Sequence, residues 1–349
     1  MDIEHINMIF SYGTSFLITF LAIPKIIHFS GVFRLFDQAG DRAAHKGNIP
    51  SFGGIAIFSG IIFSLLFWAD VANIQFILVS LFVVFFVGVI DDLLSLSPLR
   101  KLIGQIIAIL IIVSLGDLHI DNMHGVLGIY ELPFWISTLF TIFTVIVVTN
   151  AFNLIDGVDG LAAGIGIFSS LAFAVIAILM HQYNMAIISF TLVGSLLAFL
   201  KYNFHPARIF MGDTGSLLVG MILSILAINL IQNGLVIDVV KLPNKGPLLA
   251  ISILAIPLFD SLRVFVVRLW KGKHPLAPGR DHIHHALLDL GFNHRMTTYI
   301  LCIATVFFLV VSVFLLEQNI NIGIFILAVI AFLLLYIPFY ILKQKTKNE

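Results

Sequence analysis

The stretch Ile74-Gln75-Phe76-Ile77-Leu78-Val79-Ser80-Leu81-Phe82-Val83-Val84-Phe85-Phe86-Val87-Gly88-Val89-Ile90-Asp91-Asp92 decides the fold class. It is almost unbroken apolar sequence, close to the roughly 20 residues a helix needs to cross a bilayer, and it stops on two adjacent carboxylates. The rest of the chain repeats the pattern. Its 349 residues are 60% hydrophobic and 11% charged, and the mean hydropathy is +1.07. No soluble core needs that much apolar surface, so the sequence predicts an all-α, polytopic membrane bundle.

Hydropathy divides the chain into about eleven candidate spans. They are Met8–Ile27, Phe52–Ala69, Ile74–Ile90, Leu102–Leu115, Phe134–Thr149, Leu161–Met180, Met185–Leu200, Leu217–Ile231, Leu248–Val267, Thr298–Leu316 and Ile322–Leu342. The first reads as a retained span, because a cleaved leader would carry a basic segment and only Asp2, Glu4 and His5 precede it. Pro257 inside the ninth, beside Asp260 and Arg263, predicts a bent or broken helix. With the N-terminus outside, every Lys and Arg except Lys241 and Lys245 falls on the inner side. The positive-inside rule therefore predicts an outer N-terminus and a cytoplasmic C-terminus. Leu118–Leu132 then lies outside, with the Gly-rich, partly alternating pattern of a small hairpin. No repeat and no boundary for a second domain is visible, so residues 1–349 form one membrane domain. Its cytoplasmic loops span about 28–51, 91–101, 150–160, 201–216 and 268–297.

Formal net charge is zero, which leaves no electrostatic footprint for nucleic acid. The single cysteine, Cys302, sits in an apolar run and reads as a packing thiol. Polar residues instead concentrate in clusters that this topology puts on the cytoplasmic side. They are Asp91-Asp92, the run Asn150–Gly160, Met211-Gly212-Asp213 and Arg280-Asp281-His282-Ile283-His284-His285. A carboxylate at a helix centre in lipid costs about 2.5–3.5 kcal/mol on insertion scales, so acids kept at span ends point to function.

Adjacent acids repel and do not share a helix face, so Asp91 and Asp92 could serve separate tasks, with a helix-end pair facing water as the plain alternative. Asn153, Asp156 and Asp159 are spaced to align their oxygens if that run is helical, while Gly157 and Gly160 permit a turn or a close approach. Turn-forming is the plain alternative for the run, as helix capping is for Asp213. Helix N-termini also attract phosphate, and magnesium favours a few carboxylates together with substrate phosphate oxygens. Lysines in the 271–295 loop follow from topology alone, but three histidines within four residues do not. Without cysteine ligands and with hard acids nearby, a diphosphate clamp is preferred there to zinc. Two phosphate-bearing substrates repel by roughly 4 kcal/mol per unit-charge pair at about 4 Å and an effective dielectric near 20. Joining them takes a divalent metal and fixed basic groups. The residues by themselves reach phosphoryl transfer at a membrane interface.

The motifs resemble the polyprenyl-phosphate N-acetylhexosamine-1-phosphate transferases of the glycosyltransferase family 4 type. Within them they look most like the bacterial undecaprenyl-phosphate N-acetylglucosamine-1-phosphate transferases. The resemblance covers nearly the whole chain. It is carried by Asp37, Arg42, His45, Pro50 and Gly53-Gly54, by Asp91-Asp92 with Lys101 and Gln105, by Asn150–Gly160, by Phe210-Met211-Gly212-Asp213, and by His282-Ile283-His284-His285.

The resemblance implies a helical bundle with cytoplasmic active-site loops and a bent ninth helix bordering a lipid groove. The implied reaction moves a sugar 1-phosphate from a UDP-N-acetylhexosamine to undecaprenyl phosphate and releases UMP, as the first membrane step of a cell-envelope polysaccharide such as lipopolysaccharide or teichoic acid. Magnesium, with manganese as a substitute, would be held by Asp213 with Asn153 or Asp156. Asp91, supported by Asp92, would accept or orient the lipid phosphate, and His284 joins them as a catalytic candidate. Asp159 and Phe210 would face the uracil. Arg280, His282 and His285 would hold the diphosphate, and Lys101, Arg42 and His45 the lipid phosphate. A cytoplasmic-membrane location is implied, and a homodimer is left open.

Two positions depart from the family pattern, Ala43 after Arg42 where a basic residue is usual and Gly279 in place of an acid before Arg280, and a further feature, Ile283 between the histidines, separates branches of the family. The last favours an N-acetylhexosamine donor over the muramoyl-pentapeptide branch, whose histidines are consecutive. A secondary transporter is the competing class, but its binding groups should lie at the midplane within a repeat, and neither feature is present in the sequence.

Overall fold

A computed structural model describes residues 3–33, 49–236, 241–272, 274 and 279–348. Arg42 and His45 lie outside the described residues. The helices are α1 (Ile3–Phe33), α2 (Gly53–Trp68), α3 (Val71–Leu94), α4 (Pro98–Leu115), α5 (Phe134–Ile155), α6 (Leu161–Leu179) and α7 (Tyr183–Asn203). They continue as α8 (Gly212–Asn233), α9 (Gly246–Ile253), α10 (Ala255–Trp270), α11 (Ile283–Asp289), α12 (His294–Phe314) and α13 (Ile320–Asn348). Each expected span coincides with one helix or, for the ninth, with the pair α9 and α10. Among the described residues, nine helices are long and apolar enough to cross a membrane, or ten with the bent pair, and α2 is apolar but has only 16 residues.

The ninth span breaks by 79° between Ile253 and Ala255. Pro257 explains the place, since its ring would collide with the carbonyl four residues back, that of Ile253, the last residue of α9. The predicted hairpin is present as β1 (Asn122–Val126) and β2 (Ile129–Glu131), antiparallel with Asn122 opposite Glu131. A second short pair, β3 (Leu235–Val236) and β4 (Lys241–Leu242), precedes α9.

Helix α8 is the axis of the bundle, with most of its span buried among α2, α3, α5 and α9. Its small residues Ser216, Gly220 and Ser224 fall four apart and let neighbours approach, the usual device where apolar burial alone cannot drive association. The exterior is apolar instead, with Phe63, Phe67, Phe86, Phe143, Phe314 and Phe325 all exposed, as expected of a lipid-facing surface. Cys302 is buried, in keeping with a packing role. The start of α8 lies against the ends of α3 and α5, which fixes where the polar groups meet.

Candidate active site

The site is organised around the first turn of α8. Gly212 has φ +73°, a left-handed conformation that glycine adopts without strain, and it turns the chain into the helix. An added Cβ there would collide with Ser51 O and lie 2.7 Å from an Asp92 oxygen. No side chain of the segment itself caps α8. The cap comes from another helix. Asp92 Oδ1 accepts from Asp213 N at 2.7 Å, and Oδ2 accepts from Thr214 N at 3.0 Å and Thr214 Oγ1 at 2.5 Å. Free amides at a helix start need such acceptors, and a carboxylate also complements the local dipole. The segment at Pro50–Gly54 is locked to the same place by backbone bonds. Phe210 N donates to Pro50 O (2.8 Å), Gly53 N to Phe210 O (2.9 Å) and Gly54 N to Met211 O (2.8 Å).

Asp91 diverges from Asp92, as neighbours on a helix must. Its Oδ1 accepts from Leu96 N at 2.7 Å and its Oδ2 lies 3.0 Å from Lys101 Nζ. Lys101 also reaches Asp213 Oδ1 at 2.7 Å, so one ammonium bridges two acids. Asn153 Nδ2 donates to that same Asp213 oxygen and to Ser216 Oγ, the latter at 2.7 Å. Asn150 donates to Gln105 Oε1 at 3.2 Å, and Gln105 Nε2 is buried without a partner among the described residues. Asp91, Asp92, Lys101, Asn153 and Asp213 therefore meet in space across a sequence separation of more than a hundred residues.

Helix α5 ends at Ile155, so the expected alignment of Asn153, Asp156 and Asp159 on one helical face stops with Asn153. Asp156 is the C-cap and remains close to the acids. Burial raises its carboxyl well above the ordinary range, and the charges of Asp213, Asp92 and Asp159 add to this. Asp159 points elsewhere. Its Oδ2 lies 2.7 Å from His205 Nδ1 and 3.2 Å from Ala207 N, and its Oδ1 lies 3.6 Å from His294 Nδ1. Burial would raise this carboxyl, but hydrogen bonds from His294 and His205 hold it below the usual range. These three side chains are the one group with metal-ligand spacing among the described residues. Their bonding pattern is that of a latch, tying the turn after α5 to the loop before α8 and to the start of α12.

The histidine segment opens α11. His284 is 1% exposed, its Nδ1 has no partner among the described residues, and its ring lies 4.2 Å from that of His285. Burial lowers its pKa to about 3, with the charge of His285 adding to the effect, so the ring is neutral at physiological pH. His285 is lowered as well, by burial and by Arg280. His282 Nδ1 is bound to Asp260 Oδ2 at 2.9 Å. Arg280 is exposed and pairs with Asp289 at 3.2 Å. A Cβ placed on Gly157 would come within 2.5 Å of His284 Nε2, so the turn after α5 abuts the histidines. Gly157 has no left-handed φ, so alanine is allowed by the backbone and the conflict is purely steric. Gly157→Ala is expected to displace His284 and lower turnover at least about tenfold with little loss of thermal stability. Steady-state rates beside a melting curve test this, and an unchanged rate would show that the contact carries no function.

His205, His294 and Asp260 were not among the site candidates read from sequence. His205 had a signal, its position between Asn203 and the Asp213 motif, but its partner Asp159 is distant in the chain. Hard oxygen donors that could hold a divalent cation are Asp91 and Asp213, which share one ammonium, together with Asp156 close by and the Asn153 amide when turned over, while both Asp92 oxygens are taken up by the start of α8. Lys101 already shows that Asp91 and Asp213 share a cation.

Fold and site together define a multi-pass membrane enzyme that concentrates acids, one lysine and neutral histidines at one end of its bundle. Residues 74–231 match the family model described as glycosyl transferase family 4. The chain is 30% identical over 340 residues to a probable undecaprenyl-phosphate N-acetylglucosaminyl 1-phosphate transferase of Bacillus subtilis, covering 95% of this chain and 91% of that one. An undecaprenyl-phosphate alpha-N-acetylglucosaminyl 1-phosphate transferase of Pasteurella multocida is 34% identical over 308 residues, 85% and 83% of the two chains. A decaprenyl-phosphate N-acetylglucosaminephosphotransferase of Mycolicibacterium smegmatis is 30% identical over 309 residues, 81% and 75%. The chain belongs to glycosyl transferase family 4.

Proposed function

We propose that the protein transfers N-acetylglucosamine 1-phosphate from its uridine diphosphate ester to undecaprenyl phosphate, releasing UMP, at the cytoplasmic face of the membrane. The observation that carries this reading is the junction of Asp91, Asp92, Lys101, Asn153 and Asp213 around one helix start, beside a turn that abuts His284. The names of the relatives and the uneven distribution of Lys and Arg support the acceptor, the sugar and the orientation.

In the reaction a phosphate oxygen of the lipid attacks the phosphorus that bears the sugar. A phosphorus–oxygen bond forms there, the bond to the bridging oxygen breaks, and UMP carries that oxygen away. Asp91 orients the lipid phosphate or takes its proton, while Lys101 offsets the negative charge of the approaching groups. Asp92 holds the first turn of α8 and so fixes Asp213. A magnesium ion held by Asp213 with Asn153 or Asp156 would neutralise diphosphate charge. Neutral His284 and His285 offer ring nitrogens to the diphosphate without requiring a buried charge.

The purified protein with magnesium, undecaprenyl phosphate and UDP-N-acetylglucosamine is expected to release UMP, faster than with other UDP-sugars and not at all after chelation. Undiminished turnover in a chelator would remove the metal role. Uptake of labelled solute into proteoliposomes without UMP release would replace transfer with transport.

A further inference from the structure

Behind the histidine segment lies a buried ionic network that the proposed reaction has not used. Asp260, on α10 just past the break in the ninth span, is 2% exposed and fully engaged. Its Oδ1 accepts from Ile283 N at 3.0 Å and Arg263 Nη2 at 2.9 Å, and its Oδ2 pairs with His282 Nδ1 at 2.9 Å. Arg263 Nη2 donates again to Asp281 O, and its guanidinium lies 3.9 Å above the ring of Phe339 on α13. Arg268, further along α10, pairs with Asp281 Oδ2 at 3.0 Å. Together these bonds tie the segment Asp281–Ile283 to α10.

The chain of contacts runs on toward the reacting groups. The ring of His282 stacks parallel to that of His284, with 5.8 Å between centroids and 4° between planes. His284 in turn stands against Gly157, next to Asp156. With Nδ1–H donating to the carboxylate, both the tautomer and the plane of His282 are fixed, the role that acids play behind ligating histidines elsewhere. His282 is then a support rather than a direct phosphate ligand, and it sets the plane against which His284 rests.

We propose that Asp260 is a positioning residue for the sugar-nucleotide diphosphate, acting through His282 on His284. This rests on the transferase reading above. It also gives the broken helix a purpose: the 79° bend separates α10 from the direction of α9 and leaves it to carry the histidine segment. A carboxylate in a straight ninth span would continue along the α9 axis instead.

The test uses full-length protein in detergent, with UMP release measured while each substrate is varied in turn. UMP release by the wild-type protein checks the underlying transferase reading independently of the variants. Asp260→Asn, His282→Gln and the double variant are compared, each with its melting temperature. Asp260→Asn is expected to lower kcat/KM for UDP-N-acetylglucosamine about 10–100-fold, the range seen when such supporting partners are removed. KM for undecaprenyl phosphate should stay within about twofold, because the Lys101 region is untouched. The double variant should lose no more than the worse single one, as expected of residues acting in one line. Losses that add, that fall equally on both substrates, or that track the melting temperature would overturn the proposal. Should Asp260→Asn not purify as a folded protein, His282→Gln is expected to show the same split between substrates, and its absence there would overturn the proposal equally.

Discussion

Asp213→Ala is expected to lower UMP release at least about a thousandfold, equivalent to about 4 kcal/mol of transition-state stabilisation. The size follows from how many groups meet on this one carboxylate. Its Oδ1 receives Lys101 Nζ at 2.7 Å and the Asn153 amide, while its backbone N is held by Asp92. Removing the side chain takes away the proposed metal ligand, releases Asn153 and leaves Lys101 to Asp91 alone. The fold should survive, because the Asp92 cap bonds to backbone atoms that alanine retains. Lys101 also keeps its second partner at 3.0 Å. Rates and melting curves of the purified variant decide the matter together. A stable variant keeping more than about a tenth of wild-type turnover would remove Asp213 from the chemistry.

Much of this site can be read in the sequence, and the reason is the cost of polarity in lipid. A single acid in a soluble protein says little, and Asp91-Asp92 at the end of the Ile74–Ile90 run could by itself be a helix-end pair facing water, but several such acid clusters at span ends could not be explained so cheaply. The break at Pro257 was legible for a similar reason, since proline acts on the carbonyl four residues back wherever it stands in a helix. Pairings were not legible. That Asp92 caps α8 depends on α3 lying against α8, and nothing local to either helix encodes that neighbour. Asp159 illustrates the same limit: its spacing from Asn153 suggested a shared helical face, but α5 ends at Ile155 and the carboxylate swings to His205 and His294. Asp260 was visible only as a charge near a bend. Its bonds to His282 and Ile283 arise because the histidine segment lies against α10, a tertiary contact that neither stretch encodes alone.

Asp156→Asn should have opposite effects on stability and on activity. Burial raises the Asp156 carboxyl well above its ordinary range, with Asp213, Asp92 and Asp159 adding repulsion. An acid whose folded-state pKa is raised destabilises the fold wherever the unfolded chain would be ionised. The penalty is absent below the unfolded value, near 3.9, grows as pH rises, and levels off above the raised folded value. Asparagine carries no such penalty. Without divalent ions at about pH 7.5, the variant is therefore expected to melt a few degrees above wild type, with the difference vanishing near pH 4. Magnesium should then stabilise wild type more than the variant, because binding to the folded state adds stability only where a ligand exists. Turnover should move the other way, falling about a hundredfold or more, as sites that trade stability for function do. A variant that melts no higher at neutral pH would show that the acids are not crowded. Equal magnesium stabilisation of both proteins would leave the ion to Asp213 and Asn153 without Asp156.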